Sequence, residues 1–462
     1  MNLKKVYINT IGCQMNVYDS EQIENLLRPI GYENTEDLEA ADLIIVNTCA
    51  IRAKAEEKAF SFLGRASQLK EKKPHLIIGI GGCVAQQEGE KIFKRAPYVD
   101  LVFGTRAIGK VPIHVSDILK NGKKIIDINM ETLLEEGRVH SVINGRSGDA
   151  LISKFVTIMR GCDNFCTYCV VPYVRGREMS RPPESILEEI RHLVSKGVKE
   201  VTLLGQNVNS YGSKERLCSF PDLLFRVNEI SGLERIRFAT SHPKDLSDDL
   251  IMAIASLDKL VKHIHLPVQS GSDAILKKMN RRYTRDIYLD KVDRLRNSVQ
   301  GVEITTDLIV GFPYETESDF RDTLSLMEQV RFDGVFAFKY SDRPSAPARA
   351  YYPKVTLEEK KLRLKMLLEL QEEITRDKHE EEKGAIKDVL VEGPSKHAGK
   401  KAAQESEEAL TPVQWTGRTP GITIVNFIER PDGVSSGTDL TGKMVRVRIE
   451  KALAHSLWGV KA

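Results

Sequence analysis

Apolar and polar positions alternate along this chain in two long series that read as strand, helix, strand. In residues 1–120, short apolar runs at 5–10, 43–47 and 76–80 predict strands. Between them, 19–28 and 53–71 carry the apolar spacing of helices. That alternation predicts a parallel α/β sheet. Residues 121–150 are polar and include Asn144-Gly145-Arg146-Ser147-Gly148, which predicts a linker. A second series occupies 151–383, with strand candidates at 156–159, 200–204, 235–239, 263–268, 303–310 and 335–340. Helical stretches such as 183–196 and 318–330 separate them. Six units are too few for the eight of a closed barrel and predict an open (β/α)6 partial barrel. A charged helix at 356–383 ends the series. In 384–462, short strands at 388–392, 411–417, 422–427, 443–452 and 457–460 predict a small OB-like β-barrel.

Composition narrows the class. A chain of 462 residues has room for about three domains, and 41% apolar with 29% charged residues is ordinary for a globular protein. No apolar run approaches the roughly 20 residues of a membrane span, so no membrane partner is expected. Met1 leads straight into a strand, and no signal peptide is expected. Seven cysteines are an odd number, unsuited to a disulfide framework. They fit a cytoplasmic protein, whose thiols stay reduced and open to metals. A net charge of +3 permits a local RNA-binding patch without arguing for one.

The chemistry is concentrated in Cys162-Asp163-Asn164-Phe165-Cys166-Thr167-Tyr168-Cys169. Three thiols at this spacing can hold three irons of a four-iron cluster and leave the fourth iron for another ligand. A zinc site would want a fourth Cys or His nearby, and the next His downstream is the distant His192. Three more cysteines each follow an apolar run: Cys13 after Ile11-Gly12, Cys49 after Asn47-Thr48, and Cys83 after Gly81-Gly82. In a parallel sheet all strands end along one edge, where open α/β folds bind ligands, so these thiols could converge. They could equally be small buried residues. Gly12 and Gly82 would let the backbone approach a cluster closely. Cys218 sits in a polar loop and reads as incidental.

These motifs resemble the radical S-adenosylmethionine (SAM) methylthiotransferases over nearly the whole chain. Gly12-Cys13-Gln14-Met15-Asn16, Val171-Pro172-Tyr173-Val174-Arg175-Gly176-Arg177-Glu178 and Leu204-Gly205-Gln206-Asn207 resemble the branch of tRNA-2-methylthio-N6-dimethylallyladenosine synthases, as do Thr240-Ser241-His242-Pro243 and Phe338-Lys339-Tyr340-Ser341. Related branches act on threonylcarbamoyl-adenosine or a ribosomal-protein aspartate, and a non-catalytic two-cluster electron carrier or RNA-binding scaffold is the reading from another class. Arg160 stands before Gly161 where the family often has Glu.

The resemblance implies two 4Fe–4S clusters, on Cys13/Cys49/Cys83 and Cys162/Cys166/Cys169, with SAM as methyl donor and radical source. It implies a tRNA anticodon stem-loop as substrate, modified at carbon 2 of the adenosine at position 37. A flavodoxin- or ferredoxin-like electron donor and a sulfur source follow as partners, and the C-terminal barrel becomes an RNA-binding TRAM domain. No protein base could remove the non-acidic proton on that carbon, so a radical cofactor is required.

Other residues can be placed by their strand ends. Gly205, Gln206 and Asn207 could hold the methionine end of SAM or form a plain βα turn. Ser241 could reach the ribose, and His265, Gln269 and Ser270 close the fourth strand. Gly311 and Phe312 could lie under the adenine, although a Phe there is more often core. Arg175, Arg177 and Glu178 could meet tRNA, or form a solvated charge run. Trp415, Arg418, Phe427, Lys443, Arg446 and Arg448 offer basic and aromatic groups on the small barrel.

Overall fold

The computed structural model describes residues 3–50, 53–131, 152–395, 414–421, 423–429 and 438–462. Residues 144–148 of the expected linker lie outside these, as do 411–413 and 422 of two expected strands.

The first sheet contains β1 (Lys4–Ile11), β2 (Tyr32–Asn34), β3 (Leu43–Thr48), β4 (Ile77–Gly82), β5 (Leu101–Phe103) and β6 (Ile125–Asp127). Its order is β2-β1-β3-β4-β5-β6, and every pair is parallel. Both faces are covered. Ile44, Val46, Ile78 and Ile80 pack with Phe62 and Leu63, while Leu43, Ile45 and Ile77 pack with Ile23, Leu27 and Val115. Burial on both faces is why β3 and β4 read as unbroken apolar runs. Strand β6 falls inside the stretch expected to be linker, so the sheet extends beyond residue 120. The strands β2, β5 and β6 have three residues each, too few to show a period.

The second series contains β7 (Ser153–Thr157), the short antiparallel pair β8 (Met159–Arg160) and β9 (Met179–Ser180), then β10 (Glu200–Leu204), β11 (Arg235–Ala239), β12 (His263–His265), β13 (Glu303–Val310) and β14 (Gly334–Lys339). Parallel sheets β11-β10-β7 and β12-β13-β14, joined by a bridge from Ile236 to Leu260, make the open six-unit barrel. Apolar side chains such as Val201, Leu203, Ile236, Ile264 and Leu308 turn outward under the helices. Polar ones, including Glu200, Arg237, His265 and Thr305, pair with one another inside. Strand β12 stops at His265, short of the expected residue 268, because Pro267 cannot donate to a ladder.

Helix Leu357–Glu381 starts on a capping box. Thr356 Oγ1 accepts from Glu359 N at 3.2 Å, and Glu359 accepts from Thr356 N at 3.1 Å. The last sheet is a closed barrel of β15 (Ile386–Pro394), β16 (Gln414–Arg418), β17 (Ile424–Ile428), β18 (Met444–Ala452) and β19 (Ser456–Lys461), in the order β15-β16-β17-β19-β18. Its β16–β17 turn enters the lower mouth of the larger barrel. There Arg237 donates to the carbonyls of Thr419, Pro420 and Gly421 at 2.9, 3.0 and 2.7 Å. Arg235, almost wholly buried, donates to Arg418 O at 3.2 Å. Glu200 accepts from Arg237 at 2.9 Å and lies 3.6 Å from Arg235, offsetting one of the two charges.

Candidate functional site

The register of the first sheet brings its cysteines together. Ile11 pairs with Thr48, and Thr48 with Gly82, so Cys13, Cys49 and Cys83 leave three adjacent strands at one edge. Cys49 N donates to Ile11 O at 3.0 Å. The glycines before Cys13 and Cys83 are required by packing. A Cβ on Gly82, which has φ +87°, would meet Thr48 O at 2.4 Å, and one on Gly12 would meet Asn16 Oδ1 at 2.2 Å. The glycines make room for a buried amide network beneath Cys13. Asn16 Nδ2 donates to Asn47 Oδ1 at 3.0 Å, and Asn47 Nδ2 donates to Asn16 O at 2.9 Å. Asn16 Oδ1 in turn accepts from the Cys13 thiol at 3.4 Å.

Arg175 belongs to this site and not to the surface. It is buried, with Nη2 on Asp19 Oδ2 at 3.0 Å, while Arg160 approaches Asp19 Oδ1 at 3.5 Å. A phosphate at the surface cannot reach it, although its side chain lines the cavity described below. Hydrogen bonding to Cys49 lowers the Cys13 thiol to about 6, with the Arg175 charge acting in the same direction. Burial pushes Cys83 up, partly offset by Arg175.

The barrel cysteines lie on a loop held from two sides. Cys162 N donates to Gly176 O at 3.1 Å. From the other side, residues 278–281 brace the loop. Thr167 N donates to Met279 O at 3.1 Å, and Asn280 Nδ2 donates to Asn164 O and Phe165 O at 3.2 and 3.1 Å. Phe165 sits at φ +47°, a strained state for a bulky residue that this bracing maintains. Burial pushes Cys162 and Cys169 up to about 12. A metal that takes their thiolates must therefore displace protons.

One cavity of about 250 Å³ joins the two sets: Cys13 and Cys83 on one wall, and Cys162, Cys166 and Cys169 on another. Cys49, buried beside Cys13, stands behind this lining. Among the described residues, no three His, Cys, Asp or Glu side chains gather as the ligands of a single ion do. A cluster instead spreads its cysteines over separate irons. Gly205, Gln206, Ser241 and Gln269 also line the cavity. Its wall carries buried polar atoms with no partner in the protein: Ser241 Oγ, His242 Nε2 and Asn164 Nδ2. Such groups fit a bound polar ligand, because an unmet buried donor or acceptor is costly. Thr240 and Gln269 hold positive φ at the rim, strain of the kind that collects at functional sites.

Three other expected contacts lie elsewhere. Asn207 turns away to Asp245, at 2.8 Å. Gly311 donates to Glu315 at 2.7 Å, and Phe312 is fully buried against Tyr340 and Tyr351. Neither lines the cavity; both are packing residues. His265 faces Thr305 inside the barrel, at 3.0 Å, and Ser270 is buried beside Thr323.

Arg177 is exposed, paired with Asp163 at 2.8 Å, and Glu178 accepts from Asp163 N at 3.2 Å. On the small barrel, Trp415 and Phe427 are core residues and offer no stacking face. Lys443, Arg446 and Arg448 are exposed on or beside β18, and Arg418 is exposed but held by Glu392 at 2.7 Å. Arg281, Asn280 and the Asp19–Arg175 pair were not singled out for this site from sequence. Their partners are distant in the chain, and no local pattern marks them.

Comparison with known proteins agrees with this geometry. Residues 5–104 match Uncharacterized protein family UPF0004, and residues 156–327 match the Radical SAM superfamily. The chain is 54% identical over 458 residues to the tRNA-2-methylthio-N(6)-dimethylallyladenosine synthase of Desulfosudis oleivorans, covering 99% of this chain and 97% of that one. The chain belongs to this family. Synthases of the same name from Syntrophus aciditrophicus and Clostridium perfringens are 50% and 48% identical, covering 99% of this chain and 95% and 98% of theirs. Among solved structures, the radical S-adenosylmethionine methyltransferase TsrM of Kitasatospora setae shares the fold. Its TM-score is 0.56 at 14% identity, with 75% of each chain covered. No helix among the described residues is long and apolar enough to cross a membrane.

Proposed function

We propose that this chain methylthiolates carbon 2 of N6-isopentenyladenosine at position 37 of tRNA, with Cys162, Cys166 and Cys169 holding one 4Fe–4S cluster and Cys13, Cys49 and Cys83 the other. The observation that carries this is the single cavity faced by thiols of both triads. When bound, SAM and the two clusters supply the radical chemistry and the sulfur. The protein's part is placement. Ser241, His242, Gln206 and Gln269 offer polar groups toward a SAM lying against the barrel triad. Asp19 fixes Arg175 beside Cys13 and Cys83, where its charge favours thiolate over thiol. Apolar wall residues Val171, Val174 and Leu204 exclude water, which strengthens each of these interactions.

Exposed Arg177, Lys443, Arg446 and Arg448 are the groups offered to the tRNA backbone. A flavodoxin- or ferredoxin-like protein and a separate sulfur source complete the cycle, in the cytoplasm. The test is mass spectrometry of tRNA nucleosides from a strain lacking the gene. We expect the 2-methylthio group to vanish and N6-isopentenyladenosine to accumulate. The full chain should restore it, and neither Cys13→Ala nor Cys166→Ala should. Unchanged 2-methylthio content in the deletion strain would overturn the reading.

A further inference from the structure

Arg281 lies on the brace of residues 278–281 and is almost wholly buried. Its Nη1 donates to the sulfur of Cys166 at 3.4 Å and to Tyr168 OH at 3.2 Å. Nε donates to Tyr283 OH at 2.9 Å, and Nη2 to Pro267 O at 2.5 Å. Tyr283 OH is itself anchored on Val268 O at 2.8 Å. The planar fork is therefore fixed on four sides, with one edge on a cysteine sulfur and no carboxylate among these partners. A buried cation usually has an anion beside it. Among the described residues, the hydrogen-bond partners that can supply negative charge are the Cys166 sulfur and the two phenols.

A reduced cluster carries one more negative charge than an oxidised one. Hydrogen bonds to the sulfurs and nearby charge are among the factors that set cluster potentials. We propose that Arg281 is a positioning residue that raises the reduction potential of the cluster on Cys162, Cys166 and Cys169, easing its acceptance of one electron from a low-potential one-electron donor. In that step one electron enters the cluster, no bond breaks, and the added charge is met by the guanidinium hydrogen-bonded to Cys166. Arg281 is almost wholly buried and lines the same cavity as Cys166 and Tyr168, so bulk solvent screens the pair little. Near the Cys13 triad the buried guanidinium, Arg175, is instead paired with a carboxylate, Asp19, whose charge offsets its own. Among the described residues Arg281 has no carboxylate as a hydrogen-bond partner, which sets the two clusters apart in how readily they reduce.

The proposal rests on the cysteine assignment above, and the experiment separates the two. The reconstituted full chain is titrated with dithionite and mediators while electron paramagnetic resonance follows the signal that shifts on adding SAM. Arg281→Met should lower the reduced-to-oxidised ratio of that signal about tenfold at fixed potential, a midpoint about 59 mV more negative. Arg281→Lys, which keeps the charge without the fork, should fall between. Tyr283→Phe, which loosens the fork without removing it, should shift the midpoint slightly in the same direction. The signal insensitive to SAM should not move. Unmoved midpoints in Arg281→Met at full iron content, or equal shifts of both signals, would overturn the proposal. If Arg281→Met cannot hold iron, Arg281→Lys and Tyr283→Phe decide by the same criteria. A Cys166→Ala protein that keeps the SAM-sensitive signal would instead overturn the cysteine assignment.

Discussion

Asp19 has no exposed surface, and its carboxylate stands between the guanidinium groups of Arg175 and Arg160. Asp19→Ala would leave two buried cations facing one another. Removing one partner of a buried ion pair costs about 3–5 kcal/mol. Denaturant unfolding should report a loss of that order for Asp19→Ala and less for Asp19→Asn, which keeps an acceptor. His263 sets a different condition. Burial, with Arg237 and His265 nearby, lowers its value to about 3. An unfolded histidine titrates near 6.5. Above that pH both states are neutral and His263 contributes no pH dependence. As pH falls from 6.5 toward 3, only the unfolded chain gains the proton, so stability declines by up to about 1.4 kcal/mol per pH unit. His263→Gln should flatten this decline between pH 6.5 and 5, checked by unfolding curves at both pH values.

At the scale of elements, the end of β4 is closely packed against β3. Gly82→Ala would place a methyl on Thr48 O at a left-handed backbone angle. We expect the variant to lose iron from the Cys13 triad while the SAM-sensitive signal of the barrel triad persists, as iron analysis and spectroscopy would show. The strands carrying Cys13, Cys49 and Cys83 were readable from sequence because β1, β3 and β4 are apolar runs with the thiol directly after each. The triad at Cys162 was readable because its three residues are local. The brace was not readable. Asn280 and Arg281 lie more than 110 residues from the loop they hold, and no local pattern signals such a contact. Arg175 looked like surface charge because it opens the run Arg175-Gly176-Arg177-Glu178. What buries it is the docking of helix Gln14–Leu27, which presents Asp19 to the barrel. Phe312 follows β13 as a cofactor residue might be expected to, but the turn there points the ring into the core beneath Tyr340.

At the scale of the molecule, the cluster cysteines all precede residue 170, which suggests that the C-terminal barrel could be removed without harm to the chemistry. The turn at residues 418–421 changes that expectation for stability. Removing residues 385–462 would strip Arg235 and Arg237 of their carbonyl partners inside the larger barrel. Hydrogen bonds to charged groups are worth about 1.5–3 kcal/mol each. The truncated chain should therefore melt at a lower temperature as well as bind tRNA more weakly. Replacing both arginines by Met should raise the melting temperature of the truncated chain and lower that of the full chain. The same change acting in opposite directions would identify the seated turn as the cause. This seat also decides which partner must deform. Two arginines and a glutamate seat the small barrel on the frame that holds the cavity. On the function proposed above, an anticodon arm gripped on β18 would then meet a span set by this seat. The loop of the RNA would have to yield, swinging its adenine out of the stack. Loop nucleotides do so cheaply, and a paired base would resist. On that reading, selectivity for a base in a loop would rest on the seating of the handle as much as on the pocket.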